Sequence, residues 1–140
     1  MEKMGNFSLD PRLQAGSCGS IELKLCRLLL VNKASFPWVI LVPKQDFLKE
    51  VIDLNKIDRQ LLMEEISLVS EMLQKIFAPD KLNIATLGNI VPQLHIHIIA
   101  RYTTDIAWPD PVFAFNSEAY TANTSEQIIS QFKEYLDARK

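Results

Sequence analysis

Cysteine is scarce in this chain: Cys18 and Cys26 are its only two in 140 residues. They form no CxxC pair and cannot build the disulfide framework of a small secreted domain, so free thiols are expected, with Cys26 as a small core residue. A zinc site made from Cys18, Cys26, His95 and His97 stays open as a reading, although its spacing matches none of the common structural patterns. Long apolar runs are also missing. None approaches the ~18 residues that span a bilayer, and the opening MEKMGNFSLD has no apolar core of a signal peptide. A cytoplasmic protein with no membrane partner is the expectation. Charge of one sign is missing too. A net charge of −2 gives no reason to expect a nucleic-acid partner. No repeat, low-complexity tract or composition shift divides the chain. With 48% hydrophobic and 23% charged residues, residues 1–140 read as one globular domain large enough for a proper core.

Histidine is as scarce as cysteine, and both histidines fall in one stretch, VPQLHIHIIAR, Val91 to Arg101. Written as a strand, its side chains alternate between two faces. One face reads Gln93, His95, His97, Ile99, Arg101. The other reads Leu94, Ile96, Ile98, Ala100 and is wholly apolar, so it needs a core behind it. Pro92 suits the first residue of such a strand because it cannot donate to a ladder. Imidazole is a nucleophile, a proton carrier and a metal ligand near neutral pH. Two of them two residues apart lie roughly 6–7 Å from one another, a span that a phosphate could bridge. The plainer reading is two ordinary histidines on a half-exposed strand. The amide and guanidinium on the same face, with hydrocarbon on the other, weigh against it.

The rest of the chain supplies a frame for that strand. Asp10-Pro11 reads as an N-cap with proline in the first helical position, hence a short helical turn. Residues 14–20 read as a connector. Ile21 to Leu25 alternates as a half-buried strand, Arg27 to Asn32 is a more central one, and Trp38 to Val42 follows after a turn. Residues 46–54 read as a short helical or irregular segment. Asn55 or Asp58 caps a long helix to about Phe77, whose inward stripe is Leu62, Ile66, Val69, Leu73 and Ile76, with Glu64, Glu65, Glu71 and Lys75 off it. Lys81 to Leu87 reads as a strand, and Gly88-Asn89 as a tight turn into the histidine strand. Tyr102 to Phe115 is an aromatic loop that Pro109 and Pro111 keep extended, tied down by Trp108 and Phe113. Thr124 and Gln127 fit a capping box for a last helix to about Arg139, with Ile128, Phe132 and Tyr135 or Leu136 facing inward. The expected fold is therefore α+β: about five strands in a mostly antiparallel sheet, a long helix on the apolar face of the histidine strand, and a C-terminal helix.

The segment Gln93-Leu94-His95-Ile96-His97-Ile98-Ile99 resembles the signature of the histidine-triad (HIT) nucleotide hydrolases and transferases, in which three histidines alternate with apolar residues. The turn at Asn32 and the Leu41-Val42-Pro43-Lys44 run add to the resemblance, which covers about residues 20 to 101. It implies a HIT-like fold and a nucleotide phosphoanhydride or phosphoramidate hydrolase, or a nucleotidyl transferase. His95 would be the nucleophile, His97 the third triad member and Gln93 a substitute for the first. Gln93 can donate hydrogen bonds but cannot carry a proton. The resemblance also implies that Asn32 holds ribose hydroxyls, although a turn residue is its plain alternative. It implies phosphate contacts from the 88–90 turn, with Asn83 or Asn89 as the side-chain amide and Ile90 through its backbone N–H. The family usually has histidine where Trp38 stands, so Trp38 would be an aromatic wall. A small-molecule nucleotide substrate, a homodimer, no cofactor and no resident metal complete the expectation. A binding module without catalysis is the alternative.

Overall fold

The computed structural model describes residues 7–139. Five strands form one sheet in the order β1-β2-β3-β5-β4, with every neighbouring pair antiparallel. In chain order the elements are α1 (Pro11–Ala15), β1 (Ser17–Glu22), β2 (Cys26–Val31), β3 (Trp38–Pro43), a 3-10 turn (Val51–Asp53), α2 (Lys56–Phe77), β4 (Lys81–Ala85), β5 (Ile96–Arg101) and α3 (Ala122–Asp137). The fold class, the number of strands, the long helix and the C-terminal helix are as the sequence leads one to expect.

The sheet has two different faces because its side chains alternate. On one face Leu28, Leu30, Val39, Leu41, Ile96 and Ile98 meet Leu62, Ile66, Val69 and Leu73 of α2 and Ile128, Phe132 and Leu136 of α3. This is the larger core. Asn55 starts α2 by accepting from the Asp58 amide, and Ala78 ends it in the left-handed region at φ 47. On the opposite face Leu29, Trp38, Ile40, Val42 and Ile99 pack beneath Leu13, Phe36, Ala107 and Val112. That second face carries His97.

Several local expectations change. The first strand covers 17–22 rather than 21–25, so most of the supposed connector is an edge strand. It follows β2 by backbone pairing, with a register shift between Ser17 and Ser20. A polar run such as Ser-Cys-Gly-Ser carries no alternation to announce it. A Cβ at Gly19 would stand 2.6 Å from Ile129 Cγ1 of α3, so a larger residue there would require the Ile129 side chain to shift. Glu65 does not lie off the buried stripe of α2. It is 5% exposed, and its two oxygens accept from the Leu25 and Cys26 amides at 2.8 and 2.9 Å. A buried carboxylate is tolerated when it satisfies buried donors in this way. The last helix is capped three residues earlier than the sequence suggests, by Thr121, whose hydroxyl accepts from the Thr124 amide.

Two differences shape the site. Gly88-Asn89 is not a tight hairpin turn; a ten-residue loop, 86–95, joins β4 to β5, with Gly88 in the left-handed region at φ 71. The histidine strand also starts at Ile96 rather than Gln93. The Leu94 amide donates to the Leu48 carbonyl, and the Gln93 carbonyl is taken by the His95 ring. Neither group is available for a ladder. The 102–115 loop is not extended. It folds into turns around Asp105, which accepts from the Tyr102, Ala107 and Trp108 amides.

Candidate active site

His95 is the last residue before β5 and is buried. Its Nδ1 lies 2.7 Å from the Gln93 carbonyl oxygen. A carbonyl only accepts, so Nδ1 carries the proton and donates. In the neutral ring the lone pair then stands on Nε2. His97 lies in β5, paired with Ile40 of β3 and Ala85 of β4. The two rings meet edge to face, 4.9 Å between centroids.

His97 has an aromatic surround. Trp38 Nε1 donates to His97 Nδ1 at 3.0 Å. Phe113 packs edge-on against both His97 and Trp38, with centroid distances of 4.9 and 5.6 Å. Burial, with a smaller contribution from His95, pushes the His97 pKa down to about 4, so this ring is neutral across the physiological range. Trp38 is thus more than the aromatic wall expected of it: it donates a hydrogen bond to His97.

Gln93 faces the N-terminal segment. Its Oε1 accepts from the Asp10 amide at 2.8 Å and its Nε2 donates to the Ser8 carbonyl at 3.0 Å. Asp10 caps α1 as the sequence suggests, accepting from the Arg12 amide ahead of Pro11. Arg12 grips the Asp10 carboxylate and donates from its guanidinium to the Ile90 carbonyl at 3.1 Å. Arg12, and to a smaller degree His95, hold the Asp10 carboxyl below the usual carboxylate range. The segment 8–12 is thereby clipped to the loop that carries Ile90 and Gln93. Sequence reasoning used Asp10 only as a cap and did not single out Arg12; nothing local marks a contact that bridges residues this far apart.

The other singled-out residues are spread around this centre. Asn32 follows β2, and its Oδ1 accepts from the Tyr120 amide at 2.9 Å. Asn83, on β4, accepts from Arg101 at 2.8 Å. Arg101 is 1% exposed and also pairs with Asp105 at 2.8 Å, while the Trp108 ring lies 5.5 Å from its guanidinium. Arg101 therefore ties the 102–115 loop to the sheet, and Trp108 sits on that tie. Asn89 and Ile90 are exposed on the 86–95 loop. Cys26 is packed in the helix-side core, on the sheet face opposite His97. Among the described residues no group of three or more histidine, cysteine or acidic side chains is placed to hold a metal ion. No helix among them is long and apolar enough to cross a membrane.

Comparison with known proteins agrees with this geometry. The family description "HIT domain" matches residues 17–104. The chain is similar in structure to a histidine triad protein of Bradyrhizobium japonicum, with 43% identity, a TM-score of 0.87 and coverage of 92% of this chain and 97% of the other. It is similar to a histidine triad protein of Sinorhizobium meliloti at 38% identity and TM-score 0.89, covering 94% and 98% of the two chains. A histidine triad protein of Marinobacter aquaeolei compares at 39% identity and TM-score 0.88, with 94% and 97% covered. A comparison with curated protein sequences returns no match. A five-stranded antiparallel sheet that presents His95 and His97 side by side, with these relatives, places the chain in the HIT family.

Proposed function

We propose that the protein is a nucleotide hydrolase or nucleotidyl transferase that works through a nucleotidyl-histidine intermediate on His95. The observation that carries this reading is the contact from His95 Nδ1 to the Gln93 carbonyl. It puts a proton on Nδ1, which in the neutral ring leaves the lone pair on Nε2. A neutral imidazole can approach a phosphorus shielded by negative oxygens without adding another charge. In the first step Nε2 bonds to phosphorus, and the bond to the leaving group breaks with its electron pair. In the second, water or another acceptor attacks phosphorus and His95 departs.

The surrounding residues have roles consistent with this chemistry. Gln93 acts through its carbonyl, which orients the nucleophile, while its side chain holds the 8–10 segment. His97 and the backbone N–H groups of residues 88–90, Ile90 among them, would hold the non-bridging oxygens as charge moves onto them. Asn32 keeps an amide donor for a ribose hydroxyl beside the oxygen that binds Tyr120. Asn83 gives its oxygen to Arg101 and keeps its NH2 group as a donor, so Asn83 and Asn89 both remain amides for a phosphate oxygen. The exposed apolar residues Met63, Ile84 and Leu87 support association as a homodimer. Sedimentation as a monomer at micromolar concentration would remove that part of the reading.

The test is to trap the intermediate. Brief incubation with a nucleoside phosphoramidate or a nucleotide ester with a good leaving group, quenched without acid, is expected to leave a nucleotidyl adduct on His95 and none on His97. His95→Ala should abolish both adduct and turnover. Wild-type turnover in His95→Ala would overturn the mechanism. Nucleotide binding with no adduct and no turnover would make the protein a binding module.

A further inference from the structure

The two histidines have hydrogen-bond partners of opposite sense. The carbonyl that meets His95 Nδ1 only accepts. The indole nitrogen that meets His97 Nδ1 only donates. His95 therefore carries a proton on Nδ1, which in the neutral ring leaves the lone pair on Nε2, whereas a neutral His97 must carry its proton on Nε2. Packing enforces the second contact. Trp38 is 5% exposed and pairs with Ile99 on the ladder where His97 pairs with Ile40. The two side chains are diagonal neighbours on one face. Phe113 closes against both rings, and Lys33 Nζ lies 5.7 Å from the indole centroid while donating to the Phe115 carbonyl.

We propose that Trp38 is a positioning residue that holds His97 as the neutral Nε2–H tautomer, so that His97 serves the site as a fixed N–H donor and neither as a lone pair nor as a proton carrier. The proposal rests on the nucleotidyl-transfer reading only for what that N–H is aimed at, namely a phosphate oxygen gaining charge as His95 attacks. A ring able to exchange tautomers would present a lone pair to the same oxygen part of the time, and two electron-rich atoms would then face each other. Preorganised donors are effective because they need no such rearrangement during the reaction. Adjacent imidazoles thus differ in role because one leans on a carbonyl and the other on an indole.

Ring nitrogens of uniformly 15N-labelled protein, read by long-range proton–nitrogen correlation at neutral pH, test this without any substrate. Wild type is expected to show His95 protonated on Nδ1 and His97 on Nε2. Trp38→Phe keeps an aromatic ring in the core and removes the donor. It should give His97 as a mixture of tautomers and lower kcat for a nucleotide ester about tenfold or more, with KM changed little. Trp38→His should restore the His97 signature and most of kcat, because histidine Nε2, like indole Nε1, stands one ring carbon away from Cγ. A wild-type His97 that is protonated on Nδ1, or is an imidazolium, overturns the proposal whatever the activity. So does Trp38→Phe with an unchanged His97 signature and unchanged kcat. Should Trp38→Phe fail to fold, the wild-type and Trp38→His spectra decide. The expected wild-type tautomers without any adduct on His95 would support the proposal and overturn the nucleotidyl-transfer reading instead.

Discussion

Acid should weaken this fold through His97, and the size of the effect follows from its surroundings. The ring is pushed down to about 4 in the folded chain, against about 6.5 for an exposed imidazole. Between these values the unfolded chain binds a proton that the folded chain does not. Stability therefore rises with pH across the window and is lost as pH falls from 6.5 toward 4. The deficit from this one group is about 2 kcal/mol at pH 5 and levels off at about 3 kcal/mol below pH 4. Its cause is burial of the ring in a partly dry aromatic surround, with a smaller contribution from His95; a proton on Nδ1 would also face the Trp38 N–H. His97→Asn is the control, since the Asn oxygen can still accept from Trp38 but does not titrate. Urea unfolding of both proteins at pH 7, 6, 5 and 4.5 measures the difference. Carboxylates contribute equally to the two curves, so wild type should lose about 2 kcal/mol more than the variant between pH 7 and pH 5. Parallel curves over that range would refute the reasoning.

Other perturbations have equally direct readouts. Glu65→Gln leaves one of two buried amides, Leu25 or Cys26, facing an NH2 group, and should cost about 1.5–3 kcal/mol in urea unfolding; a loss below about 0.5 kcal/mol would mean that water replaces the bond. Gln93→Ala removes both contacts to the 8–10 segment and should speed hydrogen exchange at the Asp10 amide about tenfold, with global stability little changed. Asn32→Ala should weaken nucleoside monophosphate binding by about 1–3 kcal/mol while inorganic phosphate binding barely moves. Asn32→Asp keeps an acceptor for the Tyr120 amide but loses the amide donor; if Asn32 serves only to hold Tyr120, it should bind the nucleotide as wild type does.

Much of the frame was legible because it rests on local patterns. The stripe from Leu62 to Leu73 steps at helical spacing, Asn55 and Asp10-Pro11 are caps with a chemical reason, and Leu94, Ile96, Ile98 and Ala100 alternate as a strand must. What stayed hidden had no local signal. Glu65 looked like a surface glutamate because its partners, Leu25 and Cys26, are about 40 residues away. Ser17 to Ser20 carries no hydrophobic period, and it became a strand only because β2 offered an unpaired edge. Thr121 lies ahead of a second, equally plausible cap at Thr124, and only the path of the preceding loop chose between them.

The same division runs through the candidate site. By itself the sequence determined that His95 and His97 fall on one stretch with hydrocarbon behind them, since spacing along a chain is a local property. It also determined that Gln93 could not carry a proton. What each ring does was decided by tertiary structure. Leu94 is held by Leu48, which bends the chain out of the ladder at Gln93 and brings the Gln93 carbonyl under His95. Trp38 reaches His97 because β3 and β5, 59 residues apart at that contact, are neighbours in the sheet. A histidine's tautomer depends on which groups surround it in space, and those groups are brought together only when the sheet closes.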